Sequence, residues 1–154
     1  MNAQNLGKLL RTRKKTLATA ESCTGGLLGS LITDVPGSSD YFLGGIIAYD
    51  NRVKISLLGV KKESLARHGA VSQEIASAMA KNIRKKLSSD FGIAITGIAG
   101  PDGGSKTKPV GLVYIALADK KKVIVRKNIF RGARHKIKLQ AARKALKIFR
   151  LLWD

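Results

Sequence analysis

The strand-to-helix junction of this chain reads Thr16-Leu17-Ala18-Thr19-Ala20-Glu21-Ser22-Cys23-Thr24-Gly25-Gly26. Residues 16–20 form a short run typical of a β-strand, and the two glycines that follow favour a tight turn. Beyond the turn, apolar residues recur at the spacing of one helix face: Leu27, Leu28, Leu31 and Ile32. We therefore predict a strand, a turn and a helix that follow one another directly.

Regular segments on both sides of this junction complete the predicted fold. Helices are predicted at 2–14, 51–58 and 61–68, from Ser72 and from about Ala133, and further strands at 41–50, 91–96, 110–118 and 122–130. The last helix is predicted to place these residues on its inner side: Ile137, Ala141, Ala145, Ile148 and Leu152. Because only three residues join the last two strands, we expect an antiparallel hairpin there. The pattern predicts one domain, residues 1–154, with a three-layer α/β/α fold whose mixed sheet is covered by helices on both faces.

Composition limits the classes of protein to which the chain can belong. Its 154 residues are 44% hydrophobic and 25% charged, which is typical of one globular domain. No apolar run reaches the roughly 20 residues that a membrane helix needs, and the first residues lack the apolar stretch of a signal peptide. A single cysteine, Cys23, cannot form an internal disulfide, and with only two histidines it cannot build a metal-ligand cluster. We expect a cytoplasmic protein with no metal, no other cofactor and no membrane partner.

The formal net charge of +19 is large and unevenly distributed. Residues 119–154 contain 13 of the 29 lysines and arginines but only two acids, Asp119 and Asp154. Such a surplus attracts phosphate-bearing ligands, either nucleotides or nucleic acids, and it is equally compatible with solvated basic surfaces. A nucleic-acid-binding module therefore stays as an alternative function. Against it, aromatic residues make up only 5% of the chain and show no pattern of a stacking platform.

The junction is the first candidate functional site, because a serine at the end of a strand stands beside the backbone N–H groups of the following turn. Ser22 is our candidate nucleophile for acyl transfer, with Thr24 and Gly25 in the turn that supplies donors to an oxyanion. A structural alternative is that Ser22 or Thr24 caps the helix. Cys23 is a competing nucleophile, but nothing in the sequence ties a histidine to it, and we favour a packing role for its thiol.

The second candidate segment reads Tyr49-Asp50-Asn51-Arg52-Val53-Lys54. A serine without a histidine needs another base, and a lysine can serve when burial or a neighbouring cation lowers its pKa. Lys54 is the candidate base, and Tyr49 can relay or donate a proton at the same site. The alternative is that Lys54 is one more solvated lysine.

The third candidate is the glycine-rich stretch from Thr96 to Ser105, followed by Lys106-Thr107-Lys108-Pro109. Backbone N–H groups that no side chain obstructs, next to lysines, can surround a phosphate. The stretch is not a Walker A loop, because the Gly-Lys-Ser/Thr ending is missing. It must be a loop, and a loop this long in a small domain favours a function over a simple turn.

Together with shorter matching stretches, these three segments resemble the CinA C-terminal domain family, also called nicotinamide-nucleotide amidohydrolases or PncC. The resemblance extends from about residue 6 to 150. It is carried by motifs at the family's spacing: Thr19-Ala20-Glu21-Ser22-Cys23-Thr24-Gly25-Gly26, Pro36-Gly37-Ser38-Ser39, Tyr41-Phe42, Gly45, Tyr49, Asn51, Lys54, Leu58-Gly59-Val60, Gly69-Ala70-Val71-Ser72, Thr96-Gly97-Ile98-Ala99-Gly100-Pro101-Asp102-Gly103-Gly104-Ser105 and Lys108-Pro109-Val110-Gly111. The resemblance implies a three-layer α/β fold that forms a homodimer or a higher homo-oligomer.

The same resemblance implies that the carboxamide of nicotinamide mononucleotide, a small-molecule substrate, is hydrolysed to nicotinic acid mononucleotide and ammonia without a metal. It assigns Ser22 as nucleophile, Lys54 and Tyr49 as acid–base partners, and Ser39 and Thr96 as groups that line the site. The loop residues that would hold the nucleotide are Gly97, Gly100, Gly103, Gly104 and Ser105. From the chemistry of the loop we expect it to contact the phosphate, together with Arg134.

The chain departs from the family pattern at two points. Many members carry an arginine where Lys138 stands here, and lysine retains the charge but loses bidentate recognition of phosphate. Many members also carry an N-terminal domain of a molybdopterin-binding type that this sequence lacks. The resemblance is therefore to a stand-alone form.

Overall fold

The computed structural model describes the backbone of residues 1–153 and the side chains of residues 1–151. Its elements, in chain order, are α1 (Ala3–Thr12), β1 (Leu17–Glu21), α2 (Leu27–Thr33), a 3-10 turn (Ser38–Asp40), β2 (Phe42–Ile47), α3 (Asn51–Ser56), α4 (Lys62–His68), α5 (Gln73–Lys86), β3 (Phe91–Gly97), β4 (Leu112–Ala118), β5 (Val123–Ile129), α6 (Arg134–Lys147) and α7 (Arg150–Trp153). These bounds lie within a few residues of most of the predicted segments.

The five strands form one mixed sheet in the order β2-β1-β3-β4-β5. The strands β2, β1 and β3 are parallel, and β4 and β5 continue the sheet antiparallel to β3 and to each other. The predicted hairpin is present, since β4 pairs with β5 from Leu112 opposite Ile129 to Ala118 opposite Val123. Because consecutive parallel strands need crossover connections, the helices between β1, β2 and β3 must cover the sheet.

Two apolar clusters lie on opposite faces of the sheet, and they confirm the predicted three-layer architecture. One cluster joins the sheet to α1, α2 and α6, and the other joins it to α4 and α5. Alanines from β1, β3 and β4 face α5, so this helix approaches the sheet closely. Gly92 on β3 marks the closest point, because a Cβ there would collide with the backbone oxygen of Ala80. Ser72 caps α5 as predicted, accepting a hydrogen bond from the Ile75 N–H at 3.3 Å.

The C-terminal helix is shorter than predicted. It ends at Lys147 and is followed by the separate turn α7. Four of the residues predicted on its inner side are buried: Ile137, Ala141, Ala145 and Ile148. The side chain of Leu152, the fifth, lies outside the described residues. Within residues 1–153, the helices are too short or too polar to cross a bilayer.

Candidate active site

The candidate site lies where the three parallel strands end together. The Ser22 N–H donates to the Ile95 carbonyl at 2.9 Å, and the Ala48 N–H donates to the Glu21 carbonyl at 2.7 Å. These two bonds extend the sheet ladders one residue beyond β1 and β2. The carboxyl edge of the parallel strands is where α/β folds generally place their sites, and here it brings Ser22 beside the chain that leads into α3.

Lys54 and Ser22 are in direct contact at this edge. The Lys54 Nζ lies 3.1 Å from the Ser22 Oγ, 2.8 Å from the Ala48 carbonyl oxygen and 3.1 Å from the Tyr49 carbonyl oxygen. Lys54 lies in the last turn of the short helix α3, which Asp50 caps by accepting from the Arg52 N–H at 2.7 Å. The cap therefore fixes the helix that carries the amine toward the serine.

The environment of Lys54 favours its neutral form. The side chain is only 1% exposed, and burial lowers its pKa from the ordinary lysine value, against smaller opposing effects of Asp50 and Cys23. Among the side chains that the structure describes, none forms an ion pair with it. A neutral amine has two N–H donors and one lone pair. The two carbonyls can take both donors, which leaves the lone pair toward the Ser22 hydroxyl.

Cys23 is buried beside this pair and is a poor nucleophile. It packs in the apolar cluster that includes α2 and α6, and burial raises the pKa of its thiol to about 12. The thiolate, which is the reactive form, is therefore rare at neutral pH. This agrees with the packing role inferred from the sequence.

Glu21 is the residue of this site that the sequence analysis missed. Its buried carboxylate accepts hydrogen bonds from the N–H groups of Gly26 (3.1 Å), Leu28 (3.0 Å) and Gly29 (2.8 Å), and from the Thr24 hydroxyl (2.6 Å). It therefore caps α2, and the alternative that Ser22 or Thr24 provides the cap is wrong. An acid that caps a helix from five to eight residues before its N–H partners has no short-range sequence pattern. A carboxylate in a fully buried strand is nevertheless unusual, and this could have marked Glu21.

These contacts also change which groups of the turn can bind an oxyanion. The N–H of Gly25 is taken by the Ser22 carbonyl at 3.1 Å, and that of Gly26 by Glu21. The expectation that the glycine turn supplies donors is therefore not met. Within residues 1–153, the backbone N–H groups of Cys23 and Thr24 have no acceptor in another residue, and the Cys23 N–H is hydrogen-bonded to its own sulfur. They directly follow the candidate nucleophile.

Tyr49 and Arg134 close the other side of a cleft of about 220 Å³. The Arg134 Nη2 donates to the Tyr49 hydroxyl oxygen at 2.8 Å, and its Nη1 donates to the Gly100 carbonyl at 2.6 Å. Arg134 is the first residue of α6, and it links the β2–α3 connection to the glycine-rich loop. The cleft is lined mainly by residues from the parallel-strand edge: Ser22, Cys23, Tyr49, Lys54, Thr96 and Arg134.

The remaining predicted site residues fall into two groups. Thr96 and Gly97 line the cleft, and the Thr96 hydroxyl donates to the Ala70 carbonyl at 2.8 Å. The loop residues Gly100, Gly103, Gly104 and Ser105 lie outside the cleft lining, as do Thr24 and Gly25 of the turn. Gly100 is buried, and the other three loop residues are exposed.

Ser39 is not part of the cleft in this chain. It precedes β2 in the 3-10 turn, and the start of β2 pairs with the start of β1 at the opposite edge of the sheet from Ser22. The expectation that Ser39 lines this site is therefore not met within one chain.

The described residues contain no group of three or more His, Cys, Asp and Glu side chains placed to hold a metal ion. The ionisable groups that line the cleft are Cys23, Tyr49, Lys54 and Arg134. Together with Ser22, they provide a hydroxyl nucleophile, a proton acceptor and a cation. This is the set of groups that acyl transfer from an amide requires.

The model of the CinA C-terminal domain matches residues 1–152 of this chain. A CinA-like protein of Gloeothece citriformis is 60% identical over 114 residues, which are 74% of this chain and 27% of that protein. The chain spans about a third or less of the length of the curated relatives that it matches.

Solved structures agree with this match. The competence/damage inducible protein CihA of Agrobacterium tumefaciens is 36% identical, with a TM-score of 0.91 over 99% of this chain and 96% of that one. A CinA superfamily protein of Escherichia coli is 32% identical, with a TM-score of 0.93 over 97% of this chain and 87% of that one. Sequence and fold thus lead to one conclusion, that this chain belongs to the CinA C-terminal domain family.

Proposed function

We propose that this protein hydrolyses the carboxamide of nicotinamide mononucleotide, giving nicotinic acid mononucleotide and ammonia. The observation that carries the proposal is the 3.1 Å contact between the buried Lys54 Nζ and the Ser22 Oγ. A buried serine–lysine pair supplies a nucleophile and its base without a histidine. The choice of substrate rests on the family resemblance of the sequence, and the chemistry rests on the geometry of the pair.

In the first step the Ser22 oxygen attacks the carboxamide carbon, and the hydroxyl proton passes to the neutral Lys54 amine. The carbonyl oxygen becomes an oxyanion. In this proposal the N–H groups of Cys23 and Thr24 hold it, since they are the donors of the turn that no other residue of the described chain occupies, and the Cys23 N–H turns to it from its own sulfur. One such donor can contribute about 3 kcal/mol to the stability of the transition state.

In the second step the C–N bond breaks, and the leaving nitrogen takes a proton and departs as ammonia. The proton comes from the Lys54 ammonium formed in the first step, either directly or through the Tyr49 hydroxyl, which Lys54 then reprotonates. The Tyr49 oxygen accepts a hydrogen bond from Arg134, so its own proton stays available. Water then attacks the acyl-enzyme while Lys54 takes a proton from it. The ester bond breaks as Lys54 passes that proton to the Ser22 oxygen, which releases nicotinic acid mononucleotide and restores Ser22.

The size of the cleft indicates which part of a nucleotide would fit inside it and which part would lie outside. Ligand pockets for molecules of drug size usually measure about 300–1,000 Å³, and this cleft measures about 220 Å³. The cleft would therefore take the pyridine ring and its carboxamide, while the ribose and phosphate extend beyond it. Arg134 stands at the mouth, where its guanidinium could pair with the phosphate.

An ammonia-release assay tests the proposal. Nicotinamide mononucleotide, nicotinamide riboside and free nicotinamide are compared as substrates of the wild type and of Ser22→Ala. We expect the mononucleotide to be the best substrate, and we expect Ser22→Ala to release no ammonia while keeping its fold and its affinity for the mononucleotide. Full activity of Ser22→Ala would remove Ser22 from the nucleophile role, and absence of wild-type activity on all three compounds would refute the proposed substrate class.

A further inference from the structure

We propose that Glu21 is a positioning residue that shapes the oxyanion-binding turn beside Ser22. The inference rests on the proposed role of Ser22 as nucleophile. It goes beyond it by assigning a task to a carboxylate that touches neither the cleft nor the reacting atoms. The side chain of Glu21 is 2% exposed and immediately precedes the nucleophile in the chain.

Both oxygens of the Glu21 carboxylate accept hydrogen bonds. Its Oε2 accepts from the Thr24 hydroxyl and from the N–H groups of Gly26 and Leu28, and its Oε1 accepts from the Gly29 N–H. Four donors from one loop and one helix start converge on a single group. The bond from the Thr24 hydroxyl, at 2.6 Å, is the shortest of them. The backbone of residues 24–29 is thereby tied to the end of β1.

The hydrogen bonds of the turn leave few of its backbone N–H groups without an acceptor in another residue. Each N–H from Gly25 to Gly29 has an acceptor inside the protein, including the Leu27 N–H, which donates to the Thr24 carbonyl at 3.2 Å. In residues 22–29 of the described chain, the N–H groups of Cys23 and Thr24 are the ones without an acceptor in another residue, and the Cys23 N–H is hydrogen-bonded to its own sulfur. By holding the Thr24 side chain from one side, Glu21 fixes the peptide whose N–H would face the oxyanion.

A glutamine cannot take over this role. If its amide oxygen occupies the position of Oε2, its NH₂ group faces the Gly29 N–H, and two donors meet. In the reverse orientation three donors lose their acceptor, among them the Thr24 hydroxyl. Either way the turn must shift, and a small misplacement of a catalytic donor can cost about 10²-fold in rate.

Asp90 offers a matched control. Its carboxylate accepts from the Thr16 N–H (3.0 Å), the Thr16 hydroxyl (3.1 Å) and the Lys15 Nζ (2.9 Å). These bonds fasten the opposite end of β1, away from Ser22. Asp90→Asn therefore removes a comparable set of hydrogen bonds without touching the turn. A role of Glu21 in stability alone predicts that the two variants behave alike.

The experiment compares wild type, Glu21→Gln, Thr24→Val and Asp90→Asn with two readouts. The first is the rate at which a fluorophosphonate labels Ser22, measured by intact mass. In this reaction the Ser22 oxygen bonds to phosphorus, fluoride leaves, and the serine proton passes to Lys54. The second readout is kcat and KM for ammonia release from nicotinamide mononucleotide. Thermal unfolding is recorded for every variant.

We expect Glu21→Gln to lower both the labelling rate and kcat by about 10²-fold with KM nearly unchanged. Thr24→Val should act in the same direction by about 10-fold, since the turn loses one of its four bonds. Asp90→Asn should lower the unfolding temperature but leave labelling and kcat at the wild-type level. Restored labelling in Thr24→Ser, which keeps the hydroxyl, would add support.

Wild-type labelling and kcat in Glu21→Gln would overturn the inference, and so would an equal loss in Asp90→Asn. If Glu21→Gln does not fold, Thr24→Val decides by the same criteria. A wild type that is labelled at Ser22 but releases no ammonia refutes the proposed substrate alone, and the labelling rates still judge Glu21. A wild type that hydrolyses the mononucleotide but resists labelling leaves kcat and KM to decide. A wild type with neither activity overturns both proposals.

Discussion

Replacing Lys54 by methionine removes the proposed base while nearly preserving the shape of the side chain. The amine contacts the Ser22 Oγ and two carbonyl oxygens, and the side chain is 1% exposed. Loss of a general base typically lowers a rate by about 10²–10⁴-fold, which corresponds to about 3–5 kcal/mol in the activation barrier. We therefore expect kcat for ammonia release to fall by that factor.

The same substitution has a smaller effect on stability. The carbonyls of Ala48 and Tyr49 lose their donor, which costs about 1–3 kcal/mol for each one left unsatisfied. Removal of an amine whose charged form is disfavoured by burial offsets part of this cost. The net loss should be about 1–3 kcal/mol, and each kcal/mol lowers Tm by about 2–4 °C in a chain of this size.

Ammonia-release kinetics and thermal unfolding measure the two effects. Lys62→Met, on the exposed surface of α4, is the control for the same exchange at a lysine that lies outside the site. Lys54→Arg places a permanent positive charge at this position and has no neutral form at the assay pH, so it should be as inactive as Lys54→Met. A Lys54→Met variant that keeps more than about a tenth of the wild-type kcat would fall outside the range for a general base and would refute the reasoning. Full activity of Lys54→Arg would refute it equally.

Four further predictions concern other parts of the site and the fold. Because burial lowers the pKa of Lys54, kcat/KM should stay high above that pKa and fall as the pH drops through it. Lys54 binds its proton more tightly in the unfolded chain than in the folded protein. The free energy of unfolding of the wild type, measured in urea and compared with that of Lys54→Met, should therefore decrease as the pH falls from the ordinary lysine pKa through the lowered one. Iodoacetamide should not label Cys23 in the folded protein at pH 7.5, since its thiol pKa is about 12, and labelling at the rate of the unfolded chain would contradict its burial. Arg134→Met should raise KM for the mononucleotide by about 10-fold but hardly change KM for the riboside; equal changes would exclude a phosphate contact. Gly92→Ala should destabilise the fold by about 1–3 kcal/mol in urea unfolding, because α5 must move away from β3, and an unchanged midpoint would contradict that packing.

The order of helices and strands was predictable because each element has a local signal. Apolar spacing indicated α5, and Ser72 marked its start. The short link between β4 and β5 indicated their hairpin. The break after Lys147 was not predictable, since the apolar spacing continues through Ile148 and Phe149, which are both buried although the helix has ended. Periodicity reports which residues face the core, and it does not require that one continuous helix carries them.

The candidate site was only partly predictable. Residue types suggested a serine near a lysine, but Ser22 and Lys54 are 32 residues apart in the sequence. Their contact depends on the parallel pairing of β1 with β2, which no local pattern reports. Ser39 shows the opposite case, in which a motif residue lies at the other edge of the sheet. The capping role of Glu21 was not predicted from the sequence because all five residues of β1 are buried. A strand buried on both faces lacks the alternation that would mark one position as special.

The surface charges that make up the net charge of +19 and the buried Ser22–Lys54 pair lie in different environments. Lys54 is shielded from solvent, burial lowers the pKa of its amine, and the amine donates to two backbone carbonyls. Arg134 and the partly buried Lys138 stand nearer the solvent, and an ideal Cβ on Gly25 would lie 3.7 Å from the Lys138 Nζ. Exposed cations act on a ligand over a distance and are screened by salt, whereas a buried contact is not. The surplus of positive charge can therefore attract a phosphate without protonating the proposed base, and composition alone could not reveal that the lysine proposed as the base is removed from that surface.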